Sequence, residues 1–190
     1  SGFIDSIGLD MYIKLLNDAM QEARGEVKTT KKEKAWNIEV SKHVSNKYVS
    51  DDEIKIYIHK QITSISSKEE KETLYKQLVD RFGELTEEIK IYLDKQYLDT
   101  LLNKLHAESI KEGTDEVRIS LASPISNQAI GIALMELLYK INPYLKLEYK
   151  GRRLHFLIPK KLAKTSWMYL AIELFEQILK QPNKFFTIDL

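Results

Sequence analysis

Residues 145–159 read Leu-Lys-Leu-Glu-Tyr-Lys-Gly-Arg-Arg-Leu-His-Phe-Leu-Ile-Pro, and this stretch is the strongest indicator of the fold class. Apolar side chains alternate with other residues on both sides of Lys150-Gly151. The alternating apolar positions are Leu145, Leu147, Tyr149, Leu154, Phe156 and Ile158. A period of two is typical of a half-buried strand. Two such runs joined by a short glycine turn predict a β-hairpin.

The sequence around this hairpin predicts one further strand and two helices. Residues 117–121 (Val-Arg-Ile-Ser-Leu) alternate like a strand. Ser126 or Asn127 is predicted to cap a helix that ends at Asn142-Pro143, and a last helix is expected over about 165–180. The tail, residues 185–188, is expected to add a short strand.

The N-terminal half is predicted to be mainly helical. Apolar residues at helical spacing indicate a helix over residues 9–24, followed by a lysine-rich linker and a strand over 36–44. Three helices are expected next, starting at Ser50, Ser67 and near Thr86, the first two with capping-box patterns. The whole is an α+β protein, with N-terminal helices followed by a small mixed or antiparallel sheet and flanking helices.

Composition limits the function classes. The 190 residues carry a net charge of +1 and include no cysteine, so thiol catalysis, zinc–thiolate sites and disulfides are excluded. A dedicated nucleic-acid binder usually has a clearer basic excess. No apolar run is long enough to span a bilayer, and the N-terminus lacks a secretory pattern. The start at Ser1-Gly2, without methionine, indicates a fragment of a longer chain.

Catalytic motifs are not found in the sequence. The seven glycines are scattered, so no phosphate-binding loop is formed. The four histidines do not have metal-ligand spacing, and His155 is expected to face solvent. Paired carboxylates such as Glu87-Glu88 lie at predicted helix starts, where the helix dipole explains them. We therefore expect no catalytic, cofactor-binding or metal-binding residues in this chain.

The segment Leu78-Val-Asp-Arg-Phe-Gly83 places two opposite charges and an aromatic residue on one helical turn, which is more than a helix end requires. Asp80 and Arg81 are adjacent on a helix, so their side chains point in different directions and pair poorly with each other. Each needs a partner, which lies either elsewhere in the fold or on another protein. The pattern alone leaves both interpretations open.

The same segment resembles a known family. The helix predicted to start at Ser67 ends in Asp-Arg-Phe-Gly. This ending is similar to a signature of the C-terminal domain of bacterial transcription-repair coupling factors (Mfd, TRCF). Residues 2–12 (Gly-Phe-Ile-Asp-Ser-Ile-Gly-Leu-Asp-Met-Tyr) resemble the segment that follows the motor of these proteins. Gln77 stands where the family tends to have glutamate, and Thr86 where a proline is common.

The resemblance implies a domain organisation and a regulatory function. Residues 1–25 would be the helical tail of the motor region, 26–39 a linker and 40–190 the C-terminal regulatory domain. The full protein would be an ATP-dependent DNA translocase in the cytoplasm, acting in transcription-coupled nucleotide excision repair with RNA polymerase and UvrA. Its C-terminal domain would mask the N-terminal UvrA-docking module. The masking contact would involve the partner-binding residues Gln77, Asp80 and Arg81.

An alternative function is a nucleic-acid-binding accessory domain of the same translocase. Arg152, Arg153 and Lys160 are expected to cluster around the hairpin and could meet phosphates. Steep salt dependence of DNA affinity would favour this alternative. For either function we expect a monomer without cofactors or a membrane partner.

Overall fold

The computed structural model describes residues 9–25, 36–160 and 166–190, which divide into two units. The first unit contains α1 (Leu9–Ala23) and residues 41–93, and the second contains residues 36–40 and 94–190. The boundary falls within α4, after Leu93. The remaining described elements are α2 (Asp52–Ser64), α3 (Lys68–Phe82), α4 (Glu87–Lys104), β1 (Ala107–Glu112), β2 (Glu116–Leu121), α5 (Ser123–Ser126), α6 (Gly131–Ile141), β3 (Lys146–Lys150), β4 (Arg153–Pro159), α7 (Ser166–Lys180) and α8 (Pro182–Phe185).

The first unit is helical, as predicted. Ser67 caps α3 by accepting a hydrogen bond from the Glu70 amide at 3.1 Å. The cap of α2 is Asp51, which accepts from the Ile54 amide at 3.0 Å, so the prediction of Ser50 was wrong by one residue. A carboxylate at the cap also suits the positive end of the helix dipole. The core of this unit includes Ile58, Ile62, Leu74, Leu78, Ile89 and Leu93.

The second unit is built on a four-stranded antiparallel sheet in the order β1-β2-β4-β3. This confirms the α+β prediction and the hairpin. Lys150 pairs with Arg153 across a two-residue turn. Gly151 and Arg152 both have φ of 60°, as a type I′ turn requires.

Alternating residues of the two central strands form one wall of the core in the second unit. The inward side chains of β2 and β4 are buried, and Phe156 meets Phe175 of α7 edge to face with ring centroids 5.4 Å apart. Helices α6 and α7 supply Leu134, Leu138, Leu174 and Ile178 to the same core. The sheet thus has one covered face and one polar face, which is the usual arrangement of an antiparallel sheet.

Residues 36–44 do not form the predicted strand. Trp36 and Ile38 are buried in the core of the second unit, whereas Val44 is buried in that of the first. The Trp36 indole N–H donates to Asp99 Oδ1 at 3.1 Å. The alternation is therefore real, but it reflects an irregular segment whose alternate side chains enter a core. It does not reflect pairing with a neighbouring strand among the described residues.

Three other local predictions need correction. Strand β1 was missed, because Ala-Glu-Ser-Ile-Lys-Glu is a half-exposed edge strand with little apolar alternation. Neither Ser126 nor Asn127 caps α6, since Ser126 belongs to α5 and its hydroxyl accepts from the Leu154 amide at 2.9 Å. The tail contains α8 and a single β-bridge between Ala129 and Phe186 instead of the predicted strand.

The boundary between the two units, after Leu93, falls inside the predicted domain 40–190. Packing units and functional domains need not coincide, so the boundaries 1–25, 26–39 and 40–190 stay predictions. Residues 1–8 and residues 26–35 of the predicted linker lie outside the described residues.

Candidate protein-interaction surface

The three residues predicted to bind a partner lie on one exposed face at the end of α3. Gln77, Asp80 and Arg81 are all exposed, and their spacing of three and four residues makes them neighbours on the helix surface. Leu74 and Leu78, on the opposite side of α3, are buried in the core of the first unit. We call Gln77, Asp80 and Arg81 the α3 patch.

Arg81 is held by two aromatic rings. Its guanidinium carbon lies 5.4 Å from the ring centroid of Tyr57, on α2, and 5.1 Å from that of Phe82. Stacking of this kind orients the planar guanidinium while leaving its N–H donors available. No ion pair of Arg81 or Asp80 is found within the described parts of the chain, so both charges are available to a partner.

The end of α3 is fixed by a tyrosine from the preceding segment. The Tyr48 hydroxyl contacts two carbonyl oxygens, that of Gly83 at 3.2 Å and that of Leu78 at 3.4 Å. Its ring meets Phe82 edge to face, with centroids 6.3 Å apart. Burial, and then the nearby Glu84 and Tyr75, raise the pKa of Tyr48, which keeps its proton on the donor. The Gly83 carbonyl, which lies beyond the last helical acceptor, thereby gains a partner.

Gly83 ends α3 with a backbone conformation that other residues avoid. Its φ is 86° and its ψ is −173°, and its amide donates to the Val79 carbonyl at 2.9 Å. This region of backbone angles is essentially restricted to glycine. The glycine of the Asp-Arg-Phe-Gly segment therefore sets the direction in which the chain leaves the α3 patch.

The charges that follow the patch are paired with one another. Glu84 accepts hydrogen bonds from the Tyr75 hydroxyl at 3.0 Å and pairs with Lys90 Nζ at 3.2 Å. Lys90, and then Tyr75, lower the pKa of Glu84 through these bonds, and Glu84 in turn raises the pKa of both partners. Lys90 also lies 3.6 Å from Glu87. Asp80 and Arg81, by contrast, have no ion pair among the described residues.

The three basic residues predicted to cluster around the hairpin do not form one cluster. Arg152 is exposed in the turn, and Arg153 starts β4, but Lys160 follows the far end of that strand. A strand of this length separates Arg153 from Lys160 by roughly 20 Å.

Two of these basic residues already have acidic partners. Arg153 Nη2 donates to Glu108 Oε1 at 3.1 Å, and Lys160 Nζ lies 3.8 Å from Glu112. The hydrogen bond from Arg153 lowers the pKa of Glu108 and raises that of Arg153. Their charges are thus partly neutralised within the second unit.

His155 lies on the face of β4 opposite the buried Leu154 and Phe156, as predicted, and is half-buried there. Its Nε2 lies 3.0 Å from the Lys150 carbonyl and its Nδ1 lies 2.6 Å from the Ser120 hydroxyl. A carbonyl can only accept, so Nε2–H donates to it, and in the neutral imidazole Nδ1 is then an acceptor for the Ser120 hydroxyl. Both ring nitrogens are used to join neighbouring strands, and the buried Ser120 is not presented as a nucleophile.

Neither a metal site nor a membrane-spanning helix is found in the described ranges. Within those ranges, no group of three or more histidine, aspartate or glutamate side chains is placed to hold a metal ion. Each helix of that part of the chain is too short or too polar to cross a bilayer.

Comparison with protein families decides the identity of this fold. Residues 38–130 match the model of the TRCF domain. The chain contains a TRCF domain. The α3 patch lies inside the matched segment of the TRCF domain, whereas Arg152, Arg153 and Lys160 lie beyond it.

The relatives of this TRCF domain are much longer proteins. The transcription-repair-coupling factor of Bacillus subtilis (strain 168) is 29% identical over 161 residues, which are 84% of this chain and 14% of that protein. The factor of Borreliella burgdorferi is 32% identical over 111 residues, covering 58% of this chain and 10% of that protein. The chain therefore spans about a seventh of the length of these relatives, or less.

A solved structure has the same fold. The crystal structure of the C-terminal domain of a transcription-repair coupling factor superposes with a TM-score of 0.66 and 19% identity. The match covers 76% of this chain and 91% of that one. The TRCF fold is thus shared over most of both chains.

The sequence places Gln77, Asp80 and Arg81 at one helix end, but it does not identify the residues that hold them. Tyr48 and Tyr57 precede the patch by twenty or more positions, and local spacing does not connect them with it. The signal in the sequence is that Arg81 needs a partner, and the rings of Tyr57 and Phe82 meet that need.

Proposed function

We propose that this chain is the regulatory, autoinhibitory interaction domain of a transcription-repair coupling factor. In this proposal the α3 patch covers the UvrA-docking module of the same protein. The supporting observation is that Asp80 and Arg81 are exposed, lack ion pairs within the described ranges and are set on a fixed helix end.

The polar character of the patch suits a contact that must be released. Charged residues at the rim of an interface contribute mainly to specificity and to the rate of association, and they make binding sensitive to salt. A large apolar interface would be harder to open. A mask also requires a difference in contact energy between the closed and open states, and about 2–3 kcal/mol keeps the open form near the per-cent level.

Gln77 makes the α3 patch less negative than the glutamate that the transcription-repair coupling factors tend to have there. An amide replaces the glutamate expected there, so the patch offers one carboxylate, from Asp80, beside the Arg81 guanidinium. The partner surface should then present a carboxylate for Arg81 and a donor for Asp80. Gln77 would contribute a neutral hydrogen bond.

Catalysis belongs to other parts of the parent protein in this proposal. The parent would be an ATP-dependent DNA translocase of the cytoplasm that acts with RNA polymerase and UvrA in nucleotide excision repair. This chain would hold no cofactor, would act as a monomer and would reach DNA only through the parent. The alternative, direct nucleic-acid binding, has less support because Arg153 and Lys160 face carboxylates.

The test is calorimetric binding of the 190-residue chain to the separately expressed UvrA-docking module. We expect micromolar, salt-sensitive binding that Asp80→Ala and Arg81→Ala each weaken about tenfold. The matched control is Glu72→Ala, an exposed carboxylate about two turns earlier on α3.

The tether between the modules has to be considered in the same experiment. If the separate pieces do not bind, a fusion that joins them through a flexible linker raises the effective concentration to about the millimolar range. Arg81→Ala should then open the fusion, measured by distance-dependent fluorescence. A fusion that stays open with the wild-type patch would refute the mask.

A further inference from the structure

Helix α6 carries apolar residues on two faces. Leu134 and Leu138 point into the core of the second unit and are buried. Ile132, Met135 and Tyr139 are 76%, 61% and 74% exposed. Their spacing of three and four residues places them in one row along the helix surface. We call this row the α6 stripe.

The α6 stripe is unusual for a surface helix. Single exposed apolar residues are common, but a helix on a protein surface normally turns charged residues to solvent. Three neighbouring apolar side chains on one exposed helix face form the kind of patch that marks an interaction site. Packing within the second unit does not explain the stripe, because these side chains are mostly exposed.

A positively charged groove runs beside the stripe. Glu136 and Lys140 occupy the adjacent face of α6, while Lys180 of α7 and Lys184 of α8 contribute from the other side. The cavity has a volume of about 280 Å³, and Leu137 and Phe185 also line it. No carboxylate pairs with any of these three lysines in the described ranges. Three lysines against one glutamate make this groove a site for acidic groups.

From this combination we infer that α6 is a docking site for an amphipathic, acidic helix of a partner protein. The apolar residues of that helix pack on the α6 stripe, and its carboxylates face Lys140, Lys180 and Lys184. This is the helix-in-groove mode of peptide recognition. The site lies in the second unit and is independent of the α3 patch, which lies in the first.

A second copy of the chain fits the site less well. Two copies meeting symmetrically would bring the same lysines together, since a twofold interface uses one surface patch on both partners. Stable dimers also bury roughly 800 Å² on each partner, which three side chains on an eleven-residue helix do not supply. A short peptide helix matches both the size and the charge of the site.

The test uses fluorescence anisotropy with three labelled synthetic peptides and the complete 190-residue chain. The first peptide has leucines at helical spacing flanked by glutamates, the second has the same composition in scrambled order, and the third replaces each glutamate with lysine. The variants are Met135→Glu and the double variant Lys140→Glu with Lys184→Glu. Lys146→Glu, an exposed lysine on β3, is the matched control.

We expect the acidic helical peptide to bind and the scrambled peptide not to bind. Met135→Glu should weaken binding about tenfold. The double lysine variant should weaken binding of the acidic peptide and increase binding of the lysine peptide, whereas Lys146→Glu should have no effect. All substituted residues are exposed, and circular dichroism checks that each variant stays folded.

Other outcomes would overturn the inference. No binding of the acidic peptide, or equal binding of the scrambled one, removes the docking site. A dimer in sedimentation that Met135→Glu dissociates would assign the stripe to self-association. Binding of a labelled DNA duplex that the double lysine variant abolishes would assign the groove to nucleic acid.

Discussion

The guanidinium carbon of Arg81 lies 5.4 Å from the ring centroid of Tyr57. The contact joins the end of α3 to the middle of α2. It orients the charged group of the α3 patch before any partner binds, so less side-chain freedom is lost on association. A stack of this kind at an exposed site contributes about 0.5–1 kcal/mol.

Replacing Tyr57 should weaken docking although it changes none of the three residues of the α3 patch. We expect Tyr57→Ala to weaken binding to the UvrA-docking module by about two- to fivefold, because Arg81 then samples more rotamers. Arg81→Lys should weaken it as well, since lysine cannot form the same planar stack. Calorimetry measures both effects, with Glu72→Ala as control. Wild-type affinity in Arg81→Lys would show that the patch needs only a positive charge.

Two glycines with different backbone conformations should respond oppositely to alanine. Gly83→Ala should reduce the free energy of unfolding by about 1–3 kcal/mol, because its φ of 86° and ψ of −173° suit only glycine. Gly131→Ala, at the start of α6, should be neutral or raise it by about 0.4–1 kcal/mol. Neither added Cβ meets an atom within 4 Å, so the comparison isolates the backbone. Urea unfolding measures both, and similar losses would contradict this explanation.

The buried ion pair on α4 should be sensitive to the loss of one partner. Lys95 Nζ lies 2.8 Å from Asp99 Oδ2, and both side chains are buried. Asp99→Ala should reduce the free energy of unfolding by about 3–5 kcal/mol, because it leaves a buried charge uncompensated. It also removes the acceptor of the Trp36 indole.

A double variant separates the charge effect from simple loss of packing. Lys95→Ala with Asp99→Ala leaves no buried charge alone, so its loss should be smaller than the sum of the single losses. Urea unfolding of the three variants completes the cycle. Additive losses would mean that the two charges do not interact appreciably in the folded protein.

Acid should destabilise the protein through three paired carboxylates. Hydrogen bonds from Lys90, Arg153 and Arg118 lower the pKa of Glu84, Glu108 and Glu148 below the ordinary 4.5. The folded state then binds these protons less readily than the unfolded state. The stabilisation is therefore present above about pH 4.5 and is lost as pH falls through the lower folded values.

Urea unfolding at several pH values tests this dependence. The double variant Glu108→Gln with Glu148→Gln should lose less stability between neutral and acidic pH than the wild type. Glu72→Gln, at an exposed carboxylate, is the control. If the double variant has the wild-type slope, these pairs do not contribute to acid sensitivity.

Local pattern was reliable where side chains interact with near neighbours in the chain. Ser67 with Glu70, and the alternation around Lys150-Gly151, each specify a structure within a few residues, and both were confirmed. The strand predicted over residues 36–44 was wrong because alternation indicates only which side chains are buried. A strand forms only where another extended segment of the protein offers free backbone hydrogen-bonding groups. A local sequence pattern carries no information about that segment.

The chain itself determined the helices, the hairpin, the absence of cysteine chemistry and the position of the Asp-Arg-Phe-Gly helix end, because these follow from composition and from spacings of two to four residues. Tertiary structure decided which charges remain available. It paired Arg153 with Glu108 across 45 positions, set Tyr57 against Arg81, and left the α6 stripe uncovered. Such outcomes depend on residues that are distant in sequence and meet only when the units fold.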